Sequence, residues 1–199
     1  MNVTLICHLT LDGVMQAPGG VDEDLREGFP YGGWAAPYGD RVMSEVMAKG
    51  MAQSRAGGSA LLFGRRTYEH FHKVWPGRTD NPFTEVLDNT QKFVASRTLK
   101  APLPWKNSTL LAGDAADAVA KMKAEGGPDL GILGSGALAQ ALMRHGLIDA
   151  FLLTIHPLAL GTGRRLLPQG GPHVRFELAE VTPTTTGVLI ARYRLASDA

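Results

Sequence analysis

Arginine and hydroxyl side chains placed directly after apolar strands are the chemistry-bearing groups of this sequence. Residues 59–63 read as an apolar strand that breaks at Gly64 and is followed at once by Arg65, Arg66 and Thr67. Glycine lets a backbone approach closely, arginine pairs bidentately with phosphate oxygens, and the start of a helix favours an anion. Two more such junctions follow. Ser96-Arg97-Thr98 ends the apolar run Phe93-Val94-Ala95, and Gly134-Ser135-Gly136, leading into Ala137 and Leu138, ends the run 130–133. Three polar strand ends in one open sheet imply one phosphate-rich ligand lying across them, a dinucleotide carrying an extra phosphate.

Other reactive side chains are scattered. Asp12 sits where the first strand opens into a long loop; it is placed to orient a substrate or relay a proton, or to serve as an Asp-Gly turn residue. His70 and His72 are two apart, so a helix splays them and no metal site is read there. His156-Pro157 reads as a strand end near the pocket rather than as a catalytic base. Arg164-Arg165 follow Gly161-Thr162-Gly163 in a loop that is either solvated or anion-binding, with the solvated reading preferred. Cys7, the sole cysteine, lies in an apolar strand and reads as a small core residue, with no disulfide and no metal knuckle.

The elements that must position these groups follow from periodicity. Residues 3–9 form a short β-branched strand, and residues 10–37 have no period, reading as a functional lid or a poorly ordered loop. Residues 40–55 carry a helical stripe of Val42, Met43, Val46, Met47 and Met51, read as core filling. Strands at 59–63, 92–95, 108–111 and 130–133 alternate with helices carrying Tyr68 and Phe71, Phe83 to Leu87, Val119 to Met122, and residues 137–145. Asp114 or Asp117 is the cap expected for the third of these helices. Strands at 148–158, 174–181 and 188–195 then follow one another. Alternation implies parallel βαβ units, and the consecutive strands imply an antiparallel edge. The fold class is therefore α/β: a single domain over residues 1–199, with a central mostly parallel mixed sheet flanked by helices and closed by a C-terminal antiparallel hairpin.

Composition narrows the function classes. The 199 residues include 20 Lys and Arg against 19 Asp and Glu, which supplies no bulk field for nucleic acid or a membrane surface. A 44% apolar and 20% charged composition is that of a globular protein, and the 24 glycines, about 12% of the 199 residues, exceed the usual ~7%, many of them at strand ends. The start lacks a basic region followed by a long apolar run, and no window approaches the ~18 apolar residues of a membrane span, so a cytoplasmic protein is expected.

Six landmarks occur in order: Leu11-Asp12-Gly13; Gly64-Arg65-Arg66-Thr67-Tyr68-Glu69; Val94-Ala95-Ser96-Arg97-Thr98-Leu99; Gly134-Ser135-Gly136; Gly146-Leu147-Ile148-Asp149; and His156-Pro157-Leu158-Ala159-Leu160-Gly161. On these the chain resembles the dihydrofolate reductase superfamily, in the branch holding the reductase domain of bacterial riboflavin biosynthesis, over nearly its whole length. The resemblance implies NADPH as hydride donor, a small-molecule substrate and often a homodimer. It implies that Gly64, Arg65, Arg66 and Thr67 meet the cofactor's phosphates, and that Ser96, Arg97 and Thr98 flank the adenosine half. It puts Arg97 or Arg66 on the 2′-phosphate. Gly134, Ser135, Gly136, Ala137 and Leu138 are implied to hold the pyrophosphate on a helix N-terminus, and Asp12 to lie near the nicotinamide.

The pattern also departs from its relatives. Where dihydrofolate reductases place a pterin-holding carboxylate, this chain has residues 33–40, with Asp40 either taking the carboxylate's place or capping a helix. Where the riboflavin-pathway reductases usually carry Glu before the paired glycines, this chain has Leu133. The zinc deaminase half that often accompanies them is absent from the sequence. Phe29, Trp34 and Tyr38 either wall a flat substrate or pin the loop to the core, the latter being preferred. The leading expectation is an NADPH-dependent reductase of a small heterocyclic or conjugated substrate. Beside it stand a non-catalytic NADP(H)-binding protein and a flavin- or other nucleotide-binding module.

Overall fold

A computed structural model describes residues 1–81, 83–170 and 173–196; the last three residues of the expected 1–199 domain lie outside them. In chain order its elements are β1 (Val3–Thr10), α1 (Arg41–Ala56), β2 (Ala60–Gly64), α2 (Arg65–Val74), α3 (Phe83–Asn89), β3 (Lys92–Ala95) and β4 (Ser108–Leu111). There follow α4 (Ala115–Ala124), β5 (Leu130–Leu133), α5 (Gly136–Arg144), β6 (Ala150–His156), β7 (Phe176–Pro183) and β8 (Leu189–Leu195). The eight strands form one sheet in the order β4-β3-β2-β5-β1-β6-β8-β7. Pairs β2–β3, β2–β5 and β3–β4 are parallel, while β6–β8 and β7–β8 are antiparallel. This is the mostly parallel α/β sheet with a C-terminal hairpin that the alternation of strands and helices implies. No helix among the described residues is long and apolar enough to cross a membrane.

Two compact units divide the chain: Met1–Thr4 with Lys49–Ile148, and Leu5–Ala48 with Asp149–Ala199. In the first, α2 is anchored by a hydrophobic cluster of Phe63, Tyr68, Leu87, Val94 and Trp105. The Tyr68 hydroxyl accepts the Trp105 N–H at 3.0 Å, and the Trp105 indole donates to Asp88 at 2.6 Å. Lys92 is fully buried beside this cluster, its Nζ 4.5 Å from the Trp105 ring centroid. It donates to the carbonyls of Leu87, Asp88 and Thr90, so a cation closes the C-terminal end of α3, where orphan carbonyls and the helix dipole favour one. Such anchoring fixes the turn from which Arg65, Arg66 and Thr67 project.

In the second unit, the aperiodic stretch after β1 is packed rather than poorly ordered. Val14, Ala17, Phe29 and Trp34 form its own apolar cluster, and short 3-10 turns occupy Arg26–Gly28 and Ala36–Tyr38. Phe29 and Trp34 thus pin the loop, as preferred from the sequence. Gln16, 3% exposed, is the hub of the segment. Its side chain donates to the carbonyls of Asp24 and Arg26 and accepts the Arg164 N–H, while its carbonyl accepts the Trp34 indole. Gly163, at φ 110°, lies so close that a Cβ there would meet Phe29 at 2.6 Å and Val14 at 2.8 Å.

The methionine stripe of α1 differs from expectation. No residue of this helix is buried; Met43, Met47 and Met51 are half-covered, so they line a surface helix rather than fill a core. Periodicity reports a face that is less wet than the other, and it does not report how completely that face is covered.

Candidate functional site

The three sequence junctions meet along one edge of the parallel part of the sheet. Gly64 at the end of β2 is in register with Ala95 at the end of β3, and Leu62 is in register with Ile132 of β5. Because all three strands run the same way, their carboxyl ends lie side by side. This is the edge at which α/β sheets bind ligands.

Two of these ends lead straight into helices. Gly64 is the N-cap of α2 and Ser135 the N-cap of α5, and neither helix has a side-chain cap. The first N–H groups of each helix have no intrahelical acceptor and carry the positive end of the dipole. Ser135 is occupied otherwise. Its Oγ accepts the Gly64 N–H at 3.0 Å and donates to the Leu133 carbonyl at 3.0 Å, while its own N–H donates to Thr67 Oγ1 at 3.2 Å. One hydroxyl therefore locks the two helix starts together. The cost is backbone strain, since Ser135 follows Gly134 into the left-handed region at φ 53° and 55°. Gly136, Ala137 and Leu138 form the exposed-to-buried first turn of α5.

The charged members of the site differ in availability. Arg66 is exposed on the first turn of α2, whereas Arg65 pairs with Glu69 one turn on, at 2.9 Å. After β3, the Ser96 hydroxyl accepts the N–H groups of Thr98 at 3.1 Å and Leu99 at 3.0 Å, which shapes the turn. Arg97 pairs with Asp114 at 3.3 Å with its side chain 84% exposed. Asp114 is the cap of α4, its Oδ1 accepting the Ala116 N–H at 2.8 Å, so of the two caps considered it is Asp114 rather than Asp117.

In the second unit both carboxylates are held by donors. Asp12 accepts the Thr10 hydroxyl at 2.5 Å and the N–H groups of Leu160 at 3.2 Å and Gly161 at 2.8 Å, and Arg165 lies 3.3 Å away. The Thr10 hydrogen bond, outweighing partial burial and aided by the loop amides and Arg165, lowers its pKa to about 2. Asp40 caps α1 through the Met43 N–H at 2.8 Å and holds the β7–β8 turn through Thr185, whose N–H and hydroxyl lie at 2.7 and 2.6 Å. These bonds, the one from Met43 first, lower its pKa. Arg164 and Arg165 are exposed yet paired, with Glu27 and Asp12 respectively.

Two residues escaped the sequence reading. His8, on the half-buried face of β1, meets His156, and Gln16 organises the loop. Neither has a local signature, because each is defined by partners distant in the chain. Cys7 is buried, and burial pushes its thiol up to about 12, so it is inert core. Among the described residues no group of three or more His, Cys, Asp or Glu could hold a metal ion.

Comparison with known proteins agrees with the architecture. YyaP of Bacillus subtilis (strain 168), an uncharacterized protein, is 26% identical over 135 residues, or 65% of this chain and 70% of its own. A candidate riboflavin biosynthesis protein from Shewanella sp. PV-4 superimposes with a TM-score of 0.69 at 20% identity, covering 99% of this chain and 100% of that one. A pyrimidine reductase-like protein from Corynebacterium diphtheriae does so at 0.62 and 13% identity, covering 99% and 92%. Likeness at such identities speaks for the fold. A family model described as the RibD C-terminal domain matches residues 2–190, and on that match the chain belongs to the RibD C-terminal domain family.

Proposed function

We propose that this protein is an NADPH-dependent reductase that delivers a hydride to a small heterocyclic or conjugated substrate, pterin- or pyrimidine-like rings included. One observation carries the reading: three polar junctions at the aligned carboxyl ends of β3, β2 and β5, two of them helix starts with no side-chain cap. Family membership supports a reductase in general. The donor set fits a dinucleotide: amides at two helix starts for phosphates, and exposed guanidinium groups for one phosphate more.

In this reading Gly64, Arg65, Arg66 and Thr67, with Gly134 to Leu138, hold the phosphates. Ser96, Arg97 and Thr98 border the adenosine, and Arg97 or Arg66 meets the 2′-phosphate. NADPH supplies the hydride when bound, so the chain has only to bind, orient and exclude. Asp12 and Asp40, both with lowered pKa, are carboxylates at neutral pH and hold loops in place rather than donate protons. A homodimer belongs to the same reading, since β7 lies at the sheet edge with Leu178 54% and Val181 44% exposed. So does a cytoplasmic location.

A non-catalytic NADP(H)-binding protein is the second reading. The engagement of both carboxylates in structural hydrogen bonds favours it. Fluorescence titration with NADPH, NADH and FMN tests the binding shared by both readings. Selective NADPH binding is expected, and its absence, or preference for FMN, overturns both. Turnover then separates them, read as oxidation of NADPH in the presence of pterins, pyrimidines and enones.

A further inference from the structure

Along β1 the residues alternate between buried and half-buried, and His8 lies on the half-buried side, two positions before the strand's carboxyl end. Its Nδ1 is 3.0 Å from Nε2 of His156, a residue 148 positions away and fully buried at the end of β6. The His156 ring is boxed edge-on by Trp34, at 5.1 Å and 89°, and by Tyr38, at 5.4 Å and 79°. Its remaining nitrogen, Nδ1, is buried with no hydrogen-bond partner among the described residues.

Each neutral imidazole has one N–H, and the His8–His156 bond uses only one of the two protons. If His8 donated, the His156 proton would sit on Nδ1 as a buried orphan donor, costing roughly 1–3 kcal/mol. If His156 donates from Nε2, the group left unpaired at Nδ1 is an acceptor lone pair, and under-satisfied buried acceptors are tolerated more often than orphan N–H donors. That second arrangement puts the His8 proton on Nε2, the nitrogen not engaged with His156. Burial also holds both imidazoles far below their usual range, at about 4, so neither is charged at neutral pH.

We propose that His8 presents a neutral N–H at Nε2 as the donor recognising a carbonyl oxygen on the substrate ring, with His156 the positioning residue that sets its tautomer. An anion buried against this neutral pair would keep an unpaired charge, whereas a neutral lactam or enone oxygen is satisfied by the N–H. The carboxyl end of β1 is also where a ligand is expected in such a sheet. The identity of the ligand as substrate rests on the reductase reading; the tautomer does not.

The test is a long-range proton–nitrogen spectrum of the full chain labelled with 15N-histidine, at neutral pH, with and without uracil or pyrimidine. The two probes share a ring and differ in their carbonyl groups. Expected are the Nε2–H form at both His8 and His156, and a shift of the His8 Nε2 resonance with uracil alone. Uracil affinity should fall about tenfold in His8→Leu and recover in part in His8→Gln, which keeps an N–H donor. In His156→Phe, His8 should become a mixture of tautomers. An Nδ1–H form at wild-type His8, no response to uracil, or equal response to both probes overturns the proposal. NADPH titrated in parallel keeps the outcomes separate, since its failure to bind removes the reductase reading and leaves the histidine result standing.

Discussion

Ser135 reaches from the start of α5 to the end of β2, where its hydroxyl accepts the Gly64 N–H at 3.0 Å. That bond joins two helix starts whose free amides the proposed phosphate site requires, and Ser135 makes it from a left-handed backbone conformation at φ 53°. Ser135→Ala should therefore destabilise the protein by about 1–2 kcal/mol and weaken NADPH binding, because Gly64 N–H loses its acceptor while the strain persists. Ser135→Gly loses the same bonds and relieves the strain, so it should be less destabilised than the alanine variant by up to about 1 kcal/mol. Urea unfolding of both variants decides; equal losses would show that strain plays no part.

Among the described residues Arg97 is held only by an exposed pair with Asp114, and such pairs are worth about 0–1 kcal/mol, so release to a phosphate is easy. Replacing both Arg66 and Arg97 by Ala should erode the preference for NADPH over NADH. Asp114→Asn keeps an effective helix cap and frees the guanidinium, so it should strengthen NADPH binding modestly. Dissociation constants for both nucleotides check this, and an unchanged ratio in the double variant sinks the assignment.

Asp12 contributes stability with a defined pH window. Its pKa is lowered from 3.8 to about 2 in the folded protein, by the Thr10 hydroxyl first. The stabilisation is present in full above 3.8 and is lost as pH falls through 2. Allowing for solvent screening it amounts to about 1–2 kcal/mol, so Asp12→Asn should be less stable by that much at neutral pH. Denaturant midpoints at stepped pH measure it, and the difference between wild type and variant should close towards pH 2.

Lys92 behaves in the opposite sense. Burial lowers its pKa from 10.5 to about 8, outweighing the nearby Asp88 carboxylate, so in the folded state the neutral amine is favoured more than in the unfolded chain. Between those values the unfolded chain binds more protons, and stability contributed by this site rises with pH through the window. Thermal or urea unfolding of wild type and Lys92→Met should show wild type gaining up to about 2–3 kcal/mol on the variant as pH crosses that range. A constant difference would refute the shift.

The residues themselves determine the local elements. Strands at Lys92–Ala95, Ser108–Leu111 and Leu130–Leu133 fall where short apolar runs end in polar or glycine residues. Gly146, at φ 62°, follows α5 as the sequence implies. The three phosphate-type junctions are equally legible, because a strand, a break and a helix start are neighbours in the chain and their spacing is set by backbone geometry alone. Where the sequence fell short was in partners. Asp12 and Asp40 read the same as acids or as anchors until Gly161 and Thr185, 149 and 145 residues away, are seen to hold them. The covering of α1, the burial of Lys92 and the meeting of His8 with His156 were decided by tertiary packing, since local pattern specifies a face while only long-range contacts specify what lies against it.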